Sequence, residues 1–186
     1  MADSDSTKLN LANLLAQSAK GDALSYRGVF DHLHGRIFRY ILSRCSNRDD
    51  AHDITQTVFI DLWQALPKFV YTSDEEFYGF VFLIAKRKLG KHYRSRKPHV
   101  ELDDRFIADN YHISTEDYRH LEHLLKKLSS RQQEILRLRY WSGLAFKEIA
   151  TILRIREGTA KVWHHRAVKK LEAIVQESAL YEEKHI

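Results

Sequence analysis

Arg156, Glu157, Lys161, Val162, His165, Arg166 and Lys169 crowd one short stretch near the C-terminus. Wound as a helix turning about 100° per residue, that stretch puts Val162, His165, Arg166 and Lys169 on one side. Glu157 and Lys161 sit at the edge near the helix start, and Arg156 closes the turn before it. Arginine and lysine can bond base-edge acceptors, valine can meet a thymine methyl, and a further lysine can meet phosphate. The set has the chemistry to read duplex DNA. The opposite side holds Ala160, His164, Ala167 and Leu171, flanked by Trp163 and Val168, and is predicted to be buried. A solvated basic helix in an ordinary bundle would carry a similar stripe, so the preceding elements must decide.

Those elements are legible. Ser129 or Ser130 can cap a support helix, with Gln132 or Gln133 completing a capping box and Gly143 offering a stop. Phe146, Ile149, Ala150 and Leu153 then recur at helical spacing, and Arg154, Ile155 and Arg156 leave room only for a tight turn. Residues 128–171 therefore read as a support helix and a helix-turn-helix, a layout that presents its second helix to the major groove.

A second chemistry-bearing set lies earlier. Lys86, Arg87, Lys88, Lys91 and Arg94 form a basic block that follows Phe77, Phe80, Val81, Phe82, Ile84 and Leu89 on one predicted helix. Rings beside cations suit single-stranded nucleic acid, because bases stack while phosphates are neutralised. Most of these aromatics are predicted core; Phe69, Tyr71 and Tyr93 are the candidates to touch a base. A third set lies on the helix over residues 50–63, where Ala51, Ile54, Val58 and Leu62 make a core face. Asp50, Asp53, Gln56, Ile60 and Trp63 make a mixed apolar and acidic surface fit for docking a partner. Coverage of Ile60 and Trp63 by a neighbouring helix is the competing expectation.

Composition bounds the rest. The 186 residues hold two prolines and seven glycines, with no alternating strand-like runs, which predicts an all-α protein. The expected division is a helical domain over 1–97, an acidic linker over 98–122, a helix-turn-helix domain over 123–180 and a tail over 181–186. The net charge of +5 suits a polyanion partner. No run is long enough to span a bilayer and the polar start is unlike a signal peptide, so a cytoplasmic site of action and no membrane insertion are expected. Cys45 is alone and excludes an intramolecular disulfide. Of eleven histidines, the pairs His120 with His123 and His164 with His165 lack a third ligand at an interpretable spacing. No phosphate-binding glycine loop or nucleophile elbow is present, so no cofactor, metal or catalytic residue is expected.

Taken in order, residues 50–63, 77–97 and 128–171 resemble conserved regions of the sigma-70 family of RNA polymerase sigma factors, in its small extracytoplasmic-function type. The resemblance implies that 50–63 docks on core polymerase and that 77–97 opens and reads the -10 promoter element as single-stranded DNA. It implies that 128–171 binds the duplex -35 element, and it makes room for an anti-sigma or other regulatory partner. The base-capturing loop of the family corresponds to residues 69–74. Departures from the family pattern are Arg154 at the turn glycine, Ala145 at a capping hydroxyl, Trp163 at a commonly basic position and His164 at an aliphatic one. A helix-turn-helix regulator that is not a polymerase subunit is the alternative function, although the N-terminal half lacks the strand–helix alternation of a receiver domain.

Overall fold

The computed structural model describes the backbone of residues 3–45, 47–95 and 115–183, and the side chains of 11–45, 47–95 and 121–177. Among the described residues the chain is all-α: α1 (Asp3–Ser18), α2 (Ala23–Leu42), α3 (Arg48–Ala65), α4 (Asp74–Ser95), α5 (Thr115–Lys126), α6 (Ser130–Leu136), α7 (Phe146–Leu153) and α8 (Glu157–Glu183). Local chemistry sets most of these bounds. Asp22 accepts from the Leu24 and Ser25 N–H groups to cap α2, and Asn47 accepts from the Asp50 N–H at 2.7 Å to cap α3. Asp49 and Asp50 place negative charge in the first turn of α3, where the helix dipole favours it. Pro67 cannot continue α3, which tightens into a 3-10 turn over Leu66–Lys68.

In the C-terminal half, Ser129 and Gln132 form the capping box of α6. That helix widens into a π-helical turn over Arg137–Trp141 and stops at Gly143, whose φ is +65°. Ala145 has no hydroxyl to cap α7, but the Glu148 carboxylate accepts its N–H at 2.6 Å, so half of a capping box survives. The α7–α8 turn is a Schellman arrangement: the Ile155 N–H reaches the Ala150 carbonyl at 3.0 Å and the Arg154 N–H reaches Thr151 at 3.2 Å. Arg154 sits at φ 55° and ψ 47°, the left-handed conformation that glycine adopts without cost.

Two of the expected boundaries fall inside helices. Residues 98–114 of the expected linker lie outside the described residues, whereas 115–122 are part of α5. The α8 helix continues to Glu183, past the expected boundary at 180, because no glycine or proline follows Gly158 to stop it.

Val29, Leu33, Ile37, Ile41, Val58, Leu62, Phe77, Val81 and Phe82 fill the interior of α1–α4, and Ile135, Leu138, Leu144, Ile149, Ala160 and Ala167 fill that of α5–α8. These are not two separate cores. The α7 helix lies along α4, and the buried side chains of both halves form one contiguous cluster.

Candidate functional site

The helix α8 is oriented by small side chains. Ala160 and Ala167 are fully buried, which lets its backbone approach α6 and α7 closely and turns Lys161, Val162, His165, Arg166 and Lys169 outward. Arg156 and Glu157 are exposed at the start of the same face, and the Glu157 carboxylate holds the Lys161 ammonium at 2.6 Å, one turn on. Val162 is 47% exposed on the same face. His164 is half-buried rather than interior. Its Nε2 lies 3.1 Å from the Tyr140 hydroxyl and its ring meets Phe146 edge-on, contacts an aliphatic side chain could not make. Burial, then the charge of Arg139 and the neighbouring His165 ring, hold its pKa below the ordinary histidine value. Trp163 faces the other half of the molecule, under the Arg131 guanidinium, in an open cavity of about 610 Å³ that Tyr93, Leu89 and Gly90 also line.

The basic block of α4 divides in two. Arg87, Lys91 and Arg94 are exposed. Lys88 pairs with Asp61 of α3 at 2.6 Å, and Lys86 pairs with Glu134 of α6 at 2.8 Å. Burial, with the Arg44 cation beside it, pulls the Lys86 ammonium down to about 8. The loop before α4 also departs from its expected surface. Phe69 stacks on Phe80 with centroids 4.7 Å apart and tilts against Phe77, because an unpaired ring gains more from that apolar seat than from water. The Tyr71 hydroxyl donates to Asp74 at 2.7 Å, and burial together with that carboxylate raises its pKa to about 12. The most exposed apolar side chain of the loop is Val70, at 78%, which spacing does not single out.

On α3, Asp53 and Gln56 are exposed and Ile60 is 49% exposed, so no neighbouring helix covers it. Trp63 is half-covered, edge-on to Tyr26 of α2, whose hydroxyl donates to the Phe59 carbonyl. Asp50 departs from the expected surface: it faces α4, with His92 at 3.7 Å. What the α3 periodicity could not supply is the other wall. Tyr26, Phe30 and His34 of α2 join His52, Asp53, Gln56, Phe59, Ile60 and Trp63 around an open groove of about 650 Å³. The spacing of Tyr26, Phe30 and His34, one helical turn apart, was the available signal.

Between the halves, Glu134 of α6 is buried and receives the Tyr40 hydroxyl at 3.0 Å, the Lys86 ammonium and the Arg44 guanidinium, all from the N-terminal half. Among the described residues no group of three or more histidine, cysteine, aspartate or glutamate side chains is placed to hold a metal. His123 is exposed, and the His120 side chain lies outside the described residues.

Comparison with known proteins fits this division. The family model described as sigma-70 region 2 matches residues 29–99, and that described as sigma-70 region 4 matches 118–171. BldN of Streptomyces coelicolor, an ECF RNA polymerase sigma factor, is 27% identical over 188 residues, covering 96% of this chain and 70% of the relative. ShbA of Streptomyces griseus, another ECF sigma factor, is 27% identical over 194 residues, covering 95% of this chain and all (100%) of the relative. Among solved structures, CnrH in complex with the cytosolic domain of CnrY matches with a TM-score of 0.69 at 21% identity, covering 88% of this chain and 96% of the other. RpoE of Bartonella quintana, in complex with the anti-sigma factor NepR, matches with a TM-score of 0.59 at 20% identity, over 81% of this chain and 96% of the other. Those two matches establish the shared helical fold. With region 2 carrying the groove and basic helix, and region 4 carrying the outward face of α8, the chain belongs to the sigma-70 family, in its extracytoplasmic-function group.

Proposed function

We infer that this protein is a transcription initiation factor that binds core RNA polymerase and directs it to promoters. The observation that carries the reading is the α8 face: Lys161, Val162, His165, Arg166 and Lys169 stand exposed in one row while Ala160 and Ala167 anchor the helix from behind. In the segment matched to region 4, that row is the reader of the duplex -35 element. Arg87, Lys91 and Arg94 of α4, with Val70 on the preceding loop, meet the opened -10 strand. The α2–α3 groove, with Asp53, Gln56 and Ile60 on its rim, takes the polymerase.

The reaction chemistry belongs to the polymerase, and this chain supplies no catalytic group. No described helix is long and apolar enough to cross a membrane, and the proposed site of action is the cytoplasm, where core polymerase and promoter DNA meet. An anti-sigma or other regulatory protein is a further proposed partner. The deciding experiment is run-off transcription with purified core polymerase and a promoter library. Discrete start sites that depend on this protein support the reading. Binding of duplex DNA without any polymerase-dependent transcript would assign it instead to helix-turn-helix regulators outside the polymerase.

A further inference from the structure

The open cavity beside Trp163 gathers more positive charge than its own carboxylate can answer. Arg44, Lys86 and Arg131 line it, and Glu134 is the one acid among its lining residues. Glu134 meets Lys86 at 2.8 Å and also the Arg44 guanidinium. Arg131 is exposed and lies over the Trp163 ring, 5.4 Å from its centroid. The Arg44 Nε is buried and has no hydrogen-bond partner among the described residues. Burial, then the Arg44 cation, bring Lys86 down to about 8, so an ammonium already paired with Glu134 still lies beside a like charge. The other walls are apolar: Leu89, Leu153 and Ile155 line them, with the rings of Tyr93 and Trp163. Gly90 leaves the α4 wall bare. Glycine weakens a helix interior relative to alanine, yet a Cβ there would meet only the Arg94 Nη1, at an ordinary 3.6 Å.

We propose that this cavity binds a free nucleoside phosphate, its phosphates held by Arg131, Arg44 and Lys86 and its base laid against Tyr93 and Trp163. The volume of about 610 Å³ falls within the roughly 300 to 1,000 Å³ of small-molecule sites. Apolar walls with a few convergent polar groups, placed where two packed units meet, are the usual make-up of such sites. The class of ligand follows from the donors. Guanidinium forks bond phosphate oxygens in pairs, and with one carboxylate set against three cations the site has charge left for a polyanion. The rings supply the other half of the recognition, because a base stacks on an aromatic side chain whatever its hydrogen-bonding edge. A bare polyphosphate would leave the apolar walls wet, and an uncharged nucleoside would leave the cations unanswered. The cations proposed for the -10 strand, Arg87, Lys91 and Arg94, are outside the lining, so the two sites are separate. An occupant nonetheless touches α4 and α8, the helices that carry both nucleic-acid faces.

Isothermal titration calorimetry of the full-length protein with ADP and with GDP, in buffer free of divalent cations, tests the site. Adenosine supplies the ring without charge, and inorganic pyrophosphate the charge without the ring. At least one nucleotide should bind saturably with a Kd below about 1 mM, about tenfold or more tighter than either control. Arg131→Ala removes a cation that makes no ion pair among the described residues, and Gly90→Leu narrows the cavity without touching a charge. Each should weaken nucleotide binding about tenfold while the circular dichroism stays helical. At pH 8 the nucleotide should draw up to about half a proton onto Lys86, since an anion raises an ammonium's pKa. That uptake is read from the dependence of the heat on buffer ionisation, and Lys86→Met should abolish it. No saturable binding of either nucleotide overturns the proposal, and pyrophosphate binding as tightly as both overturns the base subsite. Undiminished binding by Arg131→Ala and Gly90→Leu places the nucleotide elsewhere and overturns the site. A single-stranded oligonucleotide that displaces the nucleotide at lower concentration makes the cavity part of the strand path and overturns the free-nucleotide assignment.

Discussion

Arg154 illustrates how one residue can be wrong for its backbone and still be tolerated. A left-handed φ of 55° crowds the Cβ of any residue but glycine, at a cost on the order of 1 kcal/mol, while the Schellman bonds of the turn are backbone bonds that any side chain leaves intact. Arg154→Gly should therefore stabilise the protein by about 1 kcal/mol, and Arg154→Ala should not, as urea unfolding would reveal. Equal stabilisation by both would locate the strain in the arginine side chain instead. On α8, Arg166 and Lys169 share the exposed face but have different proposed work. Arg166→Ala should relax preference at one position of a randomised -35 library, since a bidentate arginine contributes about 1 to 3 kcal/mol of base discrimination. Lys169→Ala should weaken every sequence alike. A wild-type selection profile from Arg166→Ala would remove that residue from the readers.

At the scale of elements, α4 shows that a basic block is not one surface. Lys86 and Lys88 are spent on Glu134 and Asp61, whereas Arg87, Lys91 and Arg94 are open to solvent. Replacing those three by alanine should flatten the log–log salt dependence of holoenzyme binding to non-template strand by about 0.7 for each phosphate left without its cation. An unaltered slope would make the exposed cations a solvated face. On α3, Asp53→Arg puts a cation on the rim of the apolar groove where an acid now stands. Core polymerase pull-down should weaken while the circular dichroism stays helical; undiminished capture would take this rim out of the docking surface.

The whole molecule carries a pH signature through its histidines. Burial is the first cause holding His32, His34 and His164 below the ordinary value, with the neighbouring Arg36, His52 and Arg139 adding to it. The unfolded chain, titrating near the reference value of about 6.5, then binds more protons than the folded one as pH falls through that value. Stability is thus greatest above about 6.5 and declines below it, until the depressed folded-state values are passed. Thermal unfolding midpoints should fall between pH 7.5 and 5.5, and replacing the three histidines by glutamine should flatten that fall. A midpoint independent of pH in the wild type would contradict the depressed values.

Periodicity and punctuation carried the local structure of this chain: Asn47, Ser129 and Gly143 mark helix ends because caps and stops act within a few residues, and Ala160 and Ala167 mark the hidden side of α8 because helical rotation is fixed. The outward row of α8 and the family were legible for the same reason. Asp50, Phe69, Lys86 and Trp163 were not, since each is decided by what another helix brings to it. A carboxylate at Glu134 and a histidine at His92 come from elements distant in sequence, and the ring at Phe80 comes from the following helix, so no spacing rule within one helix records them. Nor does a linker predict docking of the halves it joins. That α7 lies on α4 and makes one core of two domains follows from side-chain complementarity in three dimensions, which only the tertiary structure decided.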